Sequence, residues 1–328
     1  VSILKKYWGV LHRVKLLHVS YNVLHAKKLA KNKKLYEQYG VGGSVVGSIS
    51  HQKIKKPSSE RPWLDRDNSI ELMQMDSRFG AFSPEMKEQL MQWHDKGYMI
   101  LKGFVPTETC DKINADFDEK VTSGEVSYDY TSSRVMNLYR HSNAVRQVIN
   151  EPKLISLLSF ILNKKVEPFQ TINFKYGSQQ NTHSDSIHMT TEPLGYLLAI
   201  WVALEDLTPG CGLLHYYPGS NKLSYVMGED FENDNGVFTV GDNFYENYEK
   251  KIAEVIKEKG LKKEIFAAKK GDLLIWHANL LHGGEKRTDE ATRKSLVCHY
   301  YTNEGDVINY HEISQRPTIF SKPVPLED

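Results

Sequence analysis

His183 and Asp185, separated by one serine, and His282, far downstream, are the residues of this chain whose types and spacing could do chemistry. Two imidazoles and one carboxylate can hold Fe(II) on one face and leave coordination positions open for a cosubstrate and dioxygen. An all-carboxylate set would suit Mg2+ or Ca2+ instead. Alone, the His-x-Asp pair is weak evidence, since 13 histidines and 41 acidic residues in 328 give about one or two such pairs by chance. The order of the surrounding features adds weight. A strand-like run leads into His183, another leads to His282-Gly283-Gly284, and eleven residues later Arg293 opens a third.

Arg293 offers a planar, bidentate cation that matches a carboxylate better than lysine would. A 2-oxoglutarate molecule could chelate the iron through its keto-acid end and present its far carboxylate to that guanidinium. Gly283 and Gly284 are expected to allow backbone conformations beside the metal that side chains would obstruct. His277 stands an odd number of residues before His282 along a strand, so the two should face opposite ways. His188, five residues past His183, could touch substrate, although a loop or surface histidine is the commoner case, and either His215 or its neighbours Leu214 and Tyr216 face the pocket. Trp201 reads as a core aromatic that also walls the cosubstrate pocket. Arg134, Tyr139, Arg140 and His141 form a candidate substrate-contacting cluster, although surface ion pairing is the commoner fate of such charges.

These side chains need a scaffold to bring them together. From Pro168 onward, β-rich runs such as FQTINFKY, YLLAIWVALEDL and DLLIWHANLLHGG alternate with turn residues, as in a sandwich or barrel. Upstream, Ser83-Pro84-Glu85 reads as a helix start that Gly97 closes, followed by a strand at Tyr98–Leu101. Thr107 is expected to cap a second helix, and residues 145–163 hold a third. The expectation is a helical cover over 83–163 on a β-core over 166–328. Residues 222–263 interrupt that core and should form a lid or subdomain with two short helices, because the insertion exceeds ordinary connections. Its aromatics Phe231, Phe238, Phe244, Tyr245 and Tyr248 would either line the lid or form its own small core.

Ahead of this domain, assigned to 67–328, residues 41–66 combine glycine, serine, proline and charge without periodicity and read as a linker. Residues 1–40 read as a basic helical extension: Ile3, Tyr7, Val10, Val14, Leu17, Tyr21 and Leu24 recur at helical spacing. That helix would pack on its own domain or, through residues 3–34, meet a membrane surface or a protein partner. Residues 1–36 carry nine Lys or Arg and no acid, so the net charge of +1 conceals a body at −8. Such a balance excludes wholesale nucleic-acid binding. Three cysteines without CxxC spacing suggest neither a disulfide framework nor a zinc site, and no apolar run is long enough to span a bilayer. A cytoplasmic location, with peripheral membrane contact left open, is the expectation.

Over residues 83–303 the chain resembles the phytanoyl-CoA dioxygenase family of Fe(II)/2-oxoglutarate oxygenases. The likeness is carried by Gly97-Tyr98-Met99-Ile100-Leu101-Lys102-Gly103-Phe104, Trp201-Val202-Ala203-Leu204-Glu205-Asp206, Gly212, Pro218-Gly219-Ser220, Gly271-Asp272-Leu273-Leu274-Ile275-Trp276, His282 and Arg293. The resemblance implies a mainly β fold with a double-stranded β-helix (jelly-roll, cupin-like) core. It implies His183, Asp185 and His282 as iron ligands, Arg293 as the 2-oxoglutarate clamp, and Gln170 and Asn173 as assistants to the cosubstrate, with O2 as oxidant. Asn221 departs from the family, which commonly places histidine after Pro-Gly-Ser. Because Asp185 keeps the carboxylate ligand, hydroxylation is favoured over halogenation, with release of succinate and CO2 and a small or carrier-linked substrate. Two rivals stand beside it: a silent jelly-roll scaffold docking through the N-terminal helix, and a cupin-like metal enzyme without 2-oxoglutarate. Oligomeric state is open.

Overall fold

The computed structural model describes residues 13–129, 134–302 and 304–320. Twelve strands are present among them: β1 Tyr98–Leu101, β2 Arg134–Met136, β3 Val166–Phe174, β4 Thr190–Glu192, β5 Leu197–Ala203 and β6 Leu214–Tyr216, then β7 Glu264–Phe266, β8 Leu273–His277, β9 His282–Gly284, β10 Ser295–Thr302, β11 Ile308–His311 and β12 Arg316–Pro317. Six form one sheet in the order β1-β8-β5-β10-β3-β2, and every pairing within it is antiparallel. Two three-stranded sheets, β7-β6-β9 and β12-β11-β4, complete the β content.

Strand alternation divides the large sheet into two apolar faces. Leu198, Ile200 and Val202 of β5, with Leu273, Ile275, Leu296, Cys298 and Tyr300, face the helices. Leu154, Leu157, Leu158 and Phe160 of the helix Pro152–Leu162 pack against them. Ala199, Trp201 and Ala203 point the other way and join Leu274, Trp276 and Val297 in a cluster with Leu214, Tyr216 and Phe266 of the small sheet. Each fully buried Leu or Ile in these layers contributes about 1.5–3 kcal/mol. The candidate site lies on this second face, between large and small sheets.

Local sequence signals explain the helical boundaries. The Ser83 hydroxyl accepts the Met86 N–H at 3.2 Å and starts the helix Pro84–Met91. The run read as one helix breaks at Gln92, and its second piece, Trp93–Lys96, ends at left-handed Gly97 with φ of 74°. A Cβ there would lie 2.6 Å from Asn221, whose amide donates to the His94 carbonyl. Asn221 therefore locks a turn. Pro152 splits the helix expected over 145–163 into Asn143–Ile149 and Pro152–Leu162.

Two segments differ from expectation. Residues 41–66 are packed rather than linking: Ile49 and Ile54 join Leu35, Tyr36, Tyr39, Ile308 and Tyr310, while the Trp63 indole donates to the Phe160 carbonyl at 2.6 Å. Their apolar residues fall at irregular intervals and enter two clusters, so no period betrays them. Of the N-terminal helix, residues 3–12 lie outside the described residues; the remainder is broken into Lys15–Leu24, Ala26–Leu29 and Lys33–Gln38. The insertion 222–263 holds one 16-residue helix, Phe244–Lys259, and a short 3-10 turn, Gly228–Asp230. Its Phe244, Tyr248 and Ile252 pack on Ile187 and Leu281, next to the His183 and His282 segments.

Candidate metal and cosubstrate site

Backbone pairing brings two distant segments together. The His183 N–H donates to the His282 carbonyl and the His282 N–H to the His183 carbonyl, both at 2.9 Å. The 3-10 turn Asp185–Ile187 then swings the carboxylate back beside them. One ligand atom each from His183, Asp185 and His282 lies within 4.8 Å of the others, and all three residues are buried. From Asp185 Oδ1 the distance is 4.0 Å to His183 Nε2 and 3.7 Å to His282 Nε2.

The imidazole tautomers are fixed from behind. Nδ1 of His183 sits 2.8 Å from the Asn181 carbonyl and Nδ1 of His282 sits 2.9 Å from that of Leu280, so each Nδ1–H donates outward and each Nε2 lone pair points inward. Burial, then the neighbouring His282 and His188, holds the His183 pKa well below its ordinary value, which keeps the ring neutral. Burial alone would raise the Asp185 carboxyl, but the imidazoles of His282 and His299 carry it below the usual carboxylate range. Its second oxygen accepts the Trp276 indole N–H at 2.7 Å, and His299 Nε2 lies 3.5 Å from the same atom. Two inward nitrogen donors and one free carboxylate oxygen fit Fe(II).

Arg293, at the entry to β10, is 2% exposed. It donates from Nη1 to the Gly212 carbonyl at 2.8 Å, yet its Nε is buried without a partner. Among the described residues it makes no ion pair with a carboxylate, and burial lowers its pKa to about 10. The guanidinium stands over the rings of Phe174 and Trp201 at 5.8 and 6.0 Å. It shares a narrow cavity of about 70 Å3 with His183, Asp185, His282, Trp201, Leu214 and Val297. A buried, unneutralised cation with an orphaned N–H fits the far carboxylate of 2-oxoglutarate. Gly177 permits this enclosure, since a Cβ there would lie 3.0 Å from the Gly212 carbonyl oxygen and 3.4 Å from Arg293 Nε.

A wider cavity of about 630 Å3 opens from His183 and Asp185, lined also by Gln170, Gln180, His188, Tyr245, His311 and Arg134 among others. Gln170 belongs to this outer space. Asn173 belongs to neither cavity: it stands three residues along β3, on the face opposite Gln170, Ile172 and Phe174, with both amide atoms buried and unpartnered. Placing both beside the cosubstrate ignored the two-residue period. His188 lines the outer cavity rather than the surface. Of the cluster at 134–141 only Arg134 reaches the cavities, bonded to Asp129 at 2.5 Å, whereas His141 pairs with Glu125. Leu214 faces the narrow cavity, and His215 turns to Thr182 and Glu285. His277 lies on the opposite face, 2.9 Å from Asp65.

Gly283 and Gly284 serve close approach rather than special dihedrals. A Cβ on Gly283 would stand 2.8 Å from both the Gln180 carbonyl oxygen and His215 Nε2, and neither glycine has positive φ. Sequence reasoning overlooked Trp276, His299, Gln180 and His311. Alternation along β10 from Arg293 through Val297 to His299, and along β8 from Leu274 to Trp276, carried the signal for two of them. The loop residue Gln180 and His311 of the third sheet carry none.

Residues 93–295 match the family described as phytanoyl-CoA dioxygenase (PhyH), more than half of the chain. Phytanoyl-CoA dioxygenase domain-containing protein 1 of Danio rerio is 23% identical over 240 residues, covering 69% of this chain and 75% of the relative. Among solved structures, the non-heme alpha-ketoglutarate-dependent epimerase SnoN from nogalamycin biosynthesis is similar with a TM-score of 0.52 at 17% identity, over 71% of this chain and 83% of SnoN. EctD from S. alaskensis, crystallised with 2-oxoglutarate and 5-hydroxyectoine, is similar with a TM-score of 0.52 at 16% identity, over 78% and 86%. At these identities the structural likeness is one of fold, mostly antiparallel sheets with helices. The family match carries more: the chain belongs to the phytanoyl-CoA dioxygenase family and, by that membership, is a 2-oxoglutarate-dependent dioxygenase.

Proposed function

We propose that this enzyme holds Fe(II) on His183, Asp185 and His282, clamps 2-oxoglutarate with Arg293, and hydroxylates an unactivated C–H bond of a small or carrier-linked molecule. One observation carries the reading: a buried arginine without a carboxylate partner among the described residues shares one narrow cavity with three inward-facing donors. Iron and 2-oxoglutarate, when bound, supply the oxidising chemistry: O2 is divided between the hydroxyl group of the product and succinate, with loss of CO2.

The chain's own residues do the rest. His183 and His282 present inward Nε2 atoms, and Asp185 keeps one oxygen for the metal while Trp276 occupies the other. Trp201, Leu214 and Val297 wall the narrow cavity with apolar surface, which excludes water and strengthens the attraction between Arg293 and a carboxylate. Gln170, Gln180, His188 and Arg134 offer polar contacts to a substrate in the outer cavity, whose size suits a compact molecule or the reactive end of a carrier-linked one. Tyr245 ties the insertion to that cavity through a 2.9 Å bond from Gln180, which supports residues 222–263 as a lid. The large sheet facing β7-β6-β9 across the site supports the double-stranded β-helix reading.

Anaerobic titration of metal-free protein with Fe(II) and then 2-oxoglutarate tests the proposal. A visible charge-transfer band that vanishes in His282→Ala and needs far more 2-oxoglutarate in Arg293→Ala is the expected result. Iron binding without a band would favour a metal enzyme that does not use 2-oxoglutarate.

A further inference from the structure

Three side chains of the helix Phe244–Lys259 reach the chain around His183, and each meets it with a hydrogen bond. The Gln180 amide donates to the Tyr245 hydroxyl, the Asn181 amide to the Glu249 carboxylate and the Ser184 N–H to the Tyr248 hydroxyl, all at 2.9 Å. Positions 245, 248 and 249 are three and four apart, so they share one face of the helix. The bond to Ser184 lies nearest the chemistry, because Ser184 alone separates His183 from Asp185, two of the three donors. The Asn181 carbonyl accepts the His183 Nδ1–H, so the Glu249 bond bears on the same ligand.

Tyr248 is 0% exposed and belongs to the apolar cluster of Phe244, Ile252, Ile187 and Leu281. That cluster accounts for the ring alone. A phenylalanine would fill the same space, whereas a hydroxyl carried into it has to find polar partners. Among the described residues both of its partners are on Ser184: the N–H and, at 3.2 Å, the Oγ, which itself stands 2.7 Å from Ser186 Oγ. The flanking amides are held from the β-core instead, the His183 N–H by the His282 carbonyl at 2.9 Å and the Ser186 N–H by the Ala278 carbonyl at 3.1 Å. The insertion thus supplies an acceptor at the centre of the turn that the core segments do not.

We propose that the helix Phe244–Lys259 is a working part of the metal site, with Tyr248 as the positioning residue that sets the backbone between His183 and Asp185. The inference rests on the reading of His183, Asp185 and His282 as Fe(II) ligands. With the Tyr248 hydroxyl in place, the Ser184 peptide is fixed from outside the sheets, and the side chains on either side of it leave the turn with Asp185 Oδ1 4.0 Å from His183 Nε2. Without that hydroxyl a buried N–H has no acceptor, and the peptide must rotate or draw in water, which moves both donors with it. Bonds that orient ligands from behind commonly change metal affinity by about 10- to 100-fold.

Tyr248→Phe deletes the hydroxyl and keeps the ring. Anaerobic titration of the full chain should show Fe(II) affinity about tenfold weaker than in the wild type. Ile252→Ala loosens the same helix from the same apolar cluster but removes no hydrogen bond to Ser184. It should lower the melting temperature at least as far and leave Fe(II) affinity near the native value. Hydrogen exchange of the Ser184 amide, followed by NMR in metal-free protein carrying isotope-labelled serine, gives a readout independent of the metal. That amide should be protected in the wild type and exchange at least about tenfold faster in Tyr248→Phe. The proposal fails if Ser184 exchanges freely in the wild type, if Tyr248→Phe binds Fe(II) like the wild type, or if Ile252→Ala loses as much Fe(II) affinity. A wild type that takes up no Fe(II) while Ser184 is protected overturns the metal reading itself, and this role with it.

Discussion

The indole N–H of Trp276 donates to one oxygen of Asp185 at 2.7 Å, while the other oxygen of that carboxylate faces His183 and His282. A single bond thereby decides which oxygen a metal receives. Trp276→Phe keeps the ring against His282, 4.7 Å away in the native chain, and deletes only the donor. It should weaken Fe(II) binding about 10- to 100-fold, read by anaerobic titration, with little change in the melting temperature of the metal-free protein.

Replacing Arg293 discriminates charge from shape. Arg293→Lys restores a point charge without the fork, so 2-oxoglutarate affinity should fall about tenfold, and Arg293→Ala should lose about a hundredfold. Fe(II) affinity in the same titrations should stay near the native value, because the guanidinium is no part of the donor set.

Gly283→Ala adds one methyl between the Gln180 carbonyl and the His215 ring. Overpacking there should cost about 1–3 kcal/mol in urea unfolding. Gly283 follows His282 directly, so metal affinity should fall with stability, whereas an equally destabilising change such as Ile54→Ala should leave metal affinity intact.

Glu312 gives a pH dependence of predictable sign. It is 1% exposed, and burial raises its carboxyl from 4.5 to about 7, although the His51 and Gly228 N–H groups partly oppose this. The folded chain therefore holds a proton that the unfolded chain releases, and stability falls as pH rises from about 4.5 to about 7, then levels off. The loss is on the order of 3 kcal/mol. His51, raised by Glu229, acts in the same direction. Glu312→Gln should flatten the melting-temperature profile across that window by removing its own share, and an unchanged slope would contradict the assignment.

Trp63→Ala should cost about 3 kcal/mol, measured by urea unfolding, because the indole packs on Phe160 and bonds its carbonyl. A tether would tolerate the change. This segment shows where sequence reading stops. Val41, Ile49 and Ile54 enter one cluster and the adjacent Trp63 and Leu64 another, at irregular spacing, and no periodicity announces such burial. The β-core was legible because alternation along Leu197–Ala203 and Leu273–His277 is itself a physical constraint. His183, Asp185, His282 and Arg293 were legible because each follows or opens such a run. Asn173 was misplaced by following a family likeness past the alternation that separates it from Gln170. Whether the apolar stripe of Lys15–Leu24 faces protein or solvent was left open by the sequence, since its spacing is the same in both cases; Leu16 and Leu24 are exposed in the fold.

The pairing of His183 with His282 also sets when the site can exist. On the ribosome, His183 and Asp185 emerge well before the strand that completes them, and at about 5–20 residues per second the interval lasts on the order of ten seconds. The indole that orients Asp185, the second imidazole and the arginine clamp all arrive within the span 276–293. A nascent chain therefore passes from two donors to the complete donor set and its buried arginine in one late step.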